Sequence, residues 1–263
     1  MEKTGLRRMA SNFRRRVRET LSDWRHRCGY SKPANWEESL IADELSFWEN
    51  ALMAGGKNWD PAEFQKRANL ELPLQSELRE LISAAPNSVV RILDVGSGPL
   101  TRIGNRWPGH EVQITAADPL ANHYNALLKK LGIVQRVPVT FAHGEKLLDI
   151  FPPNYFDLAY ASNSLDHSYD PLKAVEQMLA VVKPGAFAYL WHFSNVGIHE
   201  CYNGLHQWNF DIIKGDFVMR SGKAVHSMTS HFGPAIQLEC DRTWAFDAAV
   251  VIAKIKKISP PSV

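Results

Sequence analysis

The sequence predicts an α/β fold, a mostly parallel sheet flanked by helices, on three observations. An apolar run ends in the turn Asp94-Val95-Gly96-Ser97-Gly98. A second apolar run ends in Asp118, 22 residues after Gly96. Strand and helix patterns then alternate as far as Trp191, the order that builds parallel crossover units.

Val89, Val90, Ile92, Leu93 and Val95 form a β-branched run suited to a strand buried on both faces. Gly96 and Gly98 have no Cβ, so the backbone can turn tightly and a ligand can approach its amides. Val112 to Ala117 reads as the second strand, with Asp118 at its carboxyl end. A carboxylate there can accept both hydroxyls of a ribose in charge-assisted bonds. Asp118 followed by Pro119 also suits a helix start, and one residue can serve both purposes.

Val137 to Phe141 gives a third strand, followed by Ala142-His143-Gly144-Glu145. Tyr155 to Ala161 gives a fourth, leading into Ser162-Asn163-Ser164-Leu165-Asp166-His167. Asp170 as N-cap and Pro171 at the first helical position open a helix over 171–182, with Leu172, Val175, Met178, Leu179 and Val182 on one face. Lys183-Pro184-Gly185 turns into a fifth strand, Ala186 to Trp191. Phe217 to Arg220 and Val225 to His231 read as short extended pieces, and Ile236 to Cys240 and Ala248 to Ile255 as the last strands.

Over residues 88–193 the glycine turn after Asp94, the acid at 118, the polar exit of the fourth strand and the Lys-Pro-Gly turn resemble, in that order, the class I S-adenosylmethionine-dependent methyltransferases. The resemblance implies a Rossmann-like, mostly parallel seven-stranded sheet flanked by helices, closed by an antiparallel pair. It implies S-adenosylmethionine as cofactor, with contacts from Asp94, Gly96, Ser97, Gly98, Asp118, Pro119, His143, Gly144, Glu145 and Asn163. His143 stands at the position where the family usually has an acid against adenine, with Glu145 at a second such position. That departure leaves open a cofactor-binding scaffold without turnover. A nicotinamide-dependent oxidoreductase shares the strand, glycines and ribose acid, but Thr101 occupies the place of its third glycine, behind Pro99.

The length of 263 residues suits one α/β domain with an addition, and 45% hydrophobic residues suit a globular protein. No apolar run reaches the ~18 residues of a membrane span. Cys28, Cys201 and Cys240 show no paired spacing, which points to reduced thiols and a cytoplasmic setting. Charge is uneven: residues 1–30 carry +6 and the rest −4. Met9, Phe13, Val17, Leu21, Trp24 and Cys28 recur at helical steps among arginines, so residues 5–28 are a basic amphipathic helix. It either packs its stripe on its own domain or adheres, membrane-peripherally, to an anionic membrane or an acidic polymer. A basic patch wide enough for a nucleic-acid groove is lacking.

The division expected is a helical cap over 1–85 and a cofactor domain over 86–263. Asn35 with Glu38 forms a capping box for a helix through Leu52, Asp60-Pro61 starts another, and Leu72 to Ile82 suggests a third running to Pro86. Trp36, Phe47, Trp48 and Trp59 are candidate pocket walls, with core packing as their alternative. Deprotonating a hydroxyl acceptor needs a base near neutrality, which suits histidine. His167 is the first candidate, oriented by Asp166 or Asp170, followed by His206 and His192. Asp166, Glu200, Trp208 and Asn209 are candidates for holding a small or sugar-like acceptor, the last three on a polar, aromatic loop after strand five. The spacing of His192, His199 and His206 matches no common zinc pattern, so no metal is expected.

Overall fold

The computed structural model describes residues 2–27 and 36–258, with side chains described from Arg15 in the first segment and from Ile41 in the second. Four helices precede the sheet: α1 (Glu2–Arg27), α2 (Trp36–Leu52), α3 (Pro61–Ala68) and the single turn α4 (Ser76–Arg79). Asp60 caps α3 by accepting the amides of Ala62 and Glu63, with Pro61 at the first helical position. Asn35, Cys28 and the side chains of Met9, Phe13 and Trp36 lie outside the described residues.

The sheet contains β1 (Val89–Val95), β2 (Arg106–Trp107), β3 (His110–Asp118), β4 (Val139–Phe141), β5 (Phe156–Ser162) and β6 (Val182–Phe193), with α5 (Ala121–Leu131) and α6 (Pro171–Val181) as crossovers. The chain continues through the short α7 (Val196–His199), β7 (Asn209–Ile213), β8 (Asp216–Ser221), β9 (Ala224–Ser227), α8 (Met228–Phe232), β10 (Ile236–Ala245) and β11 (Ala248–Lys257). Across the sheet the order is β4-β3-β1-β5-β6-β11-β10, parallel as far as β6 and antiparallel beyond it. These are the seven strands expected. The two-residue β2 is an eighth, folded back on β3 through Pro108 and Gly109.

Alternation along β1 decides where its side chains go. Leu93 and Val95 join Val175 and Met178 of α6 on one face, while Val90 and Ile92 join Leu74, Leu78 and Ile82 on the other. Both faces are covered, which is why this strand needs no polar side. The chain leaves β1 toward β3 on one side and places β5 on the other. That reversal opens a crevice at the carboxyl ends of β1 and β5, the usual ligand position in open α/β sheets.

Four expectations change. The helix from Leu72 to Pro86 is reduced to α4: Leu74 donates its amide to the Arg106 carbonyl (2.9 Å), so this stretch is tied to the sheet, and its leucines fill the sheet's core instead of a cap. The Lys183-Pro184-Gly185 turn is absorbed into the start of β6, opposite a register shift at Phe156/Leu158. Val225 to His231 is extended only through Ser227, whose hydroxyl then caps α8 by accepting the Ser230 amide. Finally, β7, β8 and β9 form a separate antiparallel sheet that packs Phe210, Phe217 and Met219 against the core of α6 and β11.

The described part of α1 packs by its polar side. Ser22 donates to the Cys201 carbonyl (2.8 Å), Tyr202 donates to Asp23 (2.6 Å), and His26 stacks on Tyr202. Val17, Leu21 and Trp24 are left exposed, at 41%, 50% and 62%. The described part of the stripe is therefore not packed onto the protein's own domain. Among the described residues, no helix is long and apolar enough to cross a membrane.

Candidate active site

A cavity of about 670 Å³ lies at the carboxyl ends of β1 and β5, beneath α2 and α3. Its floor is the glycine turn. Gly96 (φ +68°) and Gly98 (φ +62°) hold left-handed backbone. A Cβ on Gly96 would stand 2.4 Å from the Cβ of Ser164, and one on Gly98 would stand 3.0 Å from the Trp48 ring. The turn is thus pressed between the β5 exit and the cap helix, and neither glycine has room for a side chain.

Asp118 holds the turn from the neighbouring strand. One carboxylate oxygen accepts the Gly98 amide (3.1 Å) and the other the Leu120 amide (2.8 Å). Leu120, not Asp118, occupies the N-cap position of α5. Burial drives the Asp118 carboxyl up to about 7, against the lowering effect of those two amides. Asp94 is buried at the end of β1, where it accepts from Thr101 (2.5 Å); burial raises it to about 6.

Beside these acids lies a group of cations that the sequence pattern did not single out. Glu63 of α3 pairs with Arg67 (2.8 Å) and Arg102 (2.9 Å). Arg67 lies over Trp59 and Arg102 over Trp191. All five line the cavity. Glu63 and Arg67 are an i, i+4 pair, but their partner Arg102 is 39 positions on from Glu63, so only folding assembles the group.

His167 and His206 also line the cavity, with Asp166 behind them at 0% exposure. His206 Nδ1 is 2.8 Å from Asp166 Oδ2. His167 Nε2 lies 3.3 Å from the same oxygen and 3.0 Å from His206 Nδ1, while His167 Nδ1 meets Glu44 of α2 at 3.0 Å. Glu44 also accepts from Trp48 Nε1 (3.1 Å).

Residues 93–190 match a family model described as "Methyltransferase domain". Over these residues the chain is similar to methyltransferase domains. The chain is 35% identical over 109 residues to the ubiquinone/menaquinone biosynthesis C-methyltransferase UbiE of Psychromonas ingrahamii, covering 40% of this chain and 43% of that protein. It is 30% identical over 128 residues to the Yersinia enterocolitica protein of the same name, covering 47% and 50%. The chain thus spans about half the length of these relatives. Among solved structures, one described as a SAM-dependent methyltransferase from Aquifex aeolicus is 19% identical, with a TM-score of 0.42, over 75% of this chain and 98% of that one.

The cavity gathers many of the residues expected from sequence and leaves others out. Asp94, Gly96, Ser97, Gly98, Asp118, Pro119, Gly144, Glu145, Asn163, His167 and His206 line it, as do Phe47, Trp48 and Trp59. Glu145 has a local task as well, since it accepts the amides of Tyr169 (3.1 Å) and Asp170 (3.3 Å) and fixes the loop before α6. His143 is turned away, edge-on to Phe141.

The catalytic and acceptor expectations need correction. His192 is fully buried on β6 beside Phe210, outside the cavity, and burial pushes its ring down to about 4. His167 reaches the cavity, but both ring nitrogens face carboxylates. Burial works against its charge, yet Asp166 and Glu44 outweigh it and push the ring up to about 9. That is poor chemistry for a base. His206 is the expected histidine whose Nε2 has no partner among the described residues.

The acceptor loop is also mostly structural. Glu200 is exposed and lies away from the cavity. Trp208 is buried and donates to the Ser168 carbonyl (3.1 Å), and Asn209 clamps the Ile198 amide (2.8 Å) and Tyr202 (2.8 Å). Their alternation with Phe210 reflects the start of β7, a strand that sends its apolar rings into the core. Asp166 does not line the cavity and meets it only through the two histidines.

Proposed function

We propose that this protein transfers a methyl group from S-adenosylmethionine to a hydroxyl of a small or sugar-like acceptor held under α2 and α3. The observation that carries the reading is one cavity lined by the glycine turn, Asp118 and His206, with Asp166 behind His206. Asp118 takes the ribose hydroxyls, Gly144 and Glu145 border the adenine, and Arg67 and Arg102 offer cations for the methionine carboxylate. The acceptor oxygen bonds to the methyl carbon as the carbon–sulfur bond breaks, its electron pair stays on sulfur, and S-adenosylhomocysteine leaves. In the metal-free protein the hydroxyl proton passes to His206 Nε2, because Asp166 holds the other nitrogen. Alignment at ~3–3.5 Å supplies most of the acceleration and a base ~10²–10⁴-fold of it.

A second reading places the new bond on carbon. The named relatives are C-methyltransferases, and Phe47, Trp48, Trp59, Trp191, Phe193 and Phe246 around the cavity suit a flat phenolic or enolic ring. Removing a phenolic proton with the same histidine would activate the adjacent carbon.

Calorimetry with S-adenosylmethionine, S-adenosylhomocysteine and NAD, followed by transfer of a labelled methyl group to a panel of sugars and phenols, tests both readings. Methyl ethers support the first and carbon-bound label the second; binding of NAD alone would sink both. His206→Gln should lower kcat by ~10²–10⁴-fold while leaving cofactor affinity unchanged.

We also propose that α1 rests on an anionic membrane surface, supported by the outward stripe of Val17, Leu21 and Trp24 beside exposed Arg15, Arg16, Arg18, Arg25 and Arg27. Leu21→Glu with Trp24→Glu should weaken co-sedimentation with phosphatidylserine vesicles at least ~10-fold, since each side chain contributes ~1.5–3 kcal/mol when buried. Equal sedimentation of variant and wild type would remove the membrane role.

A further inference from the structure

Asp166 Oδ2, His167 Nε2 and His206 Nδ1 form a triangle with sides of 2.8, 3.0 and 3.3 Å. Three donor atoms each ~2.1 Å from one ion and at right angles to one another stand ~3.0 Å apart, and at tetrahedral angles ~3.4 Å apart. The triangle therefore has the dimensions of three ligands on one face of a divalent ion. As a hydrogen-bonded set it is poorly formed, because one carboxylate oxygen and two ring nitrogens converge where at most two protons can be shared.

Two further observations point the same way. Asp166 Oδ1 is buried without a hydrogen-bond partner among the described residues, although its side chain is only 1% exposed. A buried carboxylate oxygen left unpaired is costly, and a cation beside it offsets that cost. Glu44 stands 3.0 Å from the far nitrogen of His167. A carboxylate there fixes the ring with its proton outward and its lone pair toward the triangle, the arrangement found behind metal-binding histidines.

We propose that Asp166, His167 and His206 bind one divalent transition-metal ion at the wall of the cavity. Two imidazoles and one carboxylate suit Zn²⁺, Mn²⁺ or Fe²⁺ better than Mg²⁺ or Ca²⁺, which prefer all-oxygen sites. Both histidines line the cavity, so an acceptor would reach the ion's remaining coordination positions from there. Oxygen donors fill such positions: a hydroxyl, phenol or enol of the acceptor. Coordination would lower the pKa of that oxygen's proton, so the proton would leave to water and His206 would serve as ligand in place of base. Ion binding stands on the geometry alone; the role given to the bound oxygen rests on the methyltransferase reading.

The test uses chelator-stripped full-length protein titrated with Co²⁺ and Zn²⁺, followed by calorimetry and by the visible absorption of Co²⁺. One ion per chain is expected, with affinity at least ~100-fold lower in His206→Ala and in Asp166→Asn, and ~10–100-fold lower in Glu44→Gln. His199→Ala, an exposed histidine outside the cavity, should bind as wild type does. Because Asp166 is fully buried, S-adenosylhomocysteine binding by each variant checks that it is folded. Absence of a stoichiometric ion, or equal affinity in a folded His206→Ala variant, overturns the proposal. Wild type that binds S-adenosylhomocysteine but no ion defeats the metal site alone; wild type that binds the ion but neither cofactor form defeats the methyltransferase reading alone.

Discussion

Asp118→Ala is expected to reduce S-adenosylhomocysteine affinity by at least ~100-fold. Two hydrogen bonds to a charged group, at ~1.5–3 kcal/mol each, are lost together with the anchor of the Gly98 amide. The pH dependence gives a second handle. Burial raises the Asp118 carboxyl to about 7, with Glu44 and Asp94 adding to the rise. A carboxyl raised above its unfolded value stabilises the fold most at low pH, and that contribution fades as pH climbs through about 7. Binding runs the other way, because ribose hydroxyls donate to the ionised form. Affinity should therefore climb from pH 5.5 to 8 by ~30-fold, the change in ionised fraction over 1.5 units. Asp118→Asn should flatten this step near 7, leaving any part due to Asp94 near 6. Calorimetry across pH reads both, and a variant that binds like wild type would remove Asp118 from the cofactor site.

The second large effect is expected from Gly96→Ala. Its φ of +68° charges an alanine ~1–2 kcal/mol, and a Cβ 2.4 Å from that of Ser164 adds an overpacking cost of ~1–3 kcal/mol. Thermal unfolding should fall by ~5–15 °C. Ser164→Gly in the same chain removes the clash but not the backbone strain, so it should restore part of the loss. No recovery would mean that the close approach of the turn to the β5 exit is not what limits this position.

Much of the frame was legible because it depends on short-range rules. The β-branched run before Asp94, the acid ending β3, and the Asp170-Pro171 helix start announce themselves in adjacent residues. Each was found within a few positions of its expected place. Leu72 to Ile82 misled because leucines at helical spacing also suit a segment pulled straight by the Arg106 carbonyl. The loop through Trp208 and Asn209 misled for a related reason: polar rings beside aromatics look like a binding loop until β7 pairs with β8 and buries them.

By itself the sequence determined the parallel sheet, the glycine turn and the acid at 118, since strand periodicity, missing Cβ atoms and residue spacing are local properties. Only the tertiary structure decided which histidines reach the cavity. Asp166 and His206 are 40 positions apart, Glu44 comes from α2 and Arg102 from the loop after β1, and no spacing rule links them. It also decided that the described part of α1 packs by its polar side, because Tyr202, Cys201 and Ser221 offer hydrogen-bonding partners to that face and leave Val17, Leu21 and Trp24 outside. Electrostatics and metal geometry depend on distances through space, and only the folded chain sets those distances.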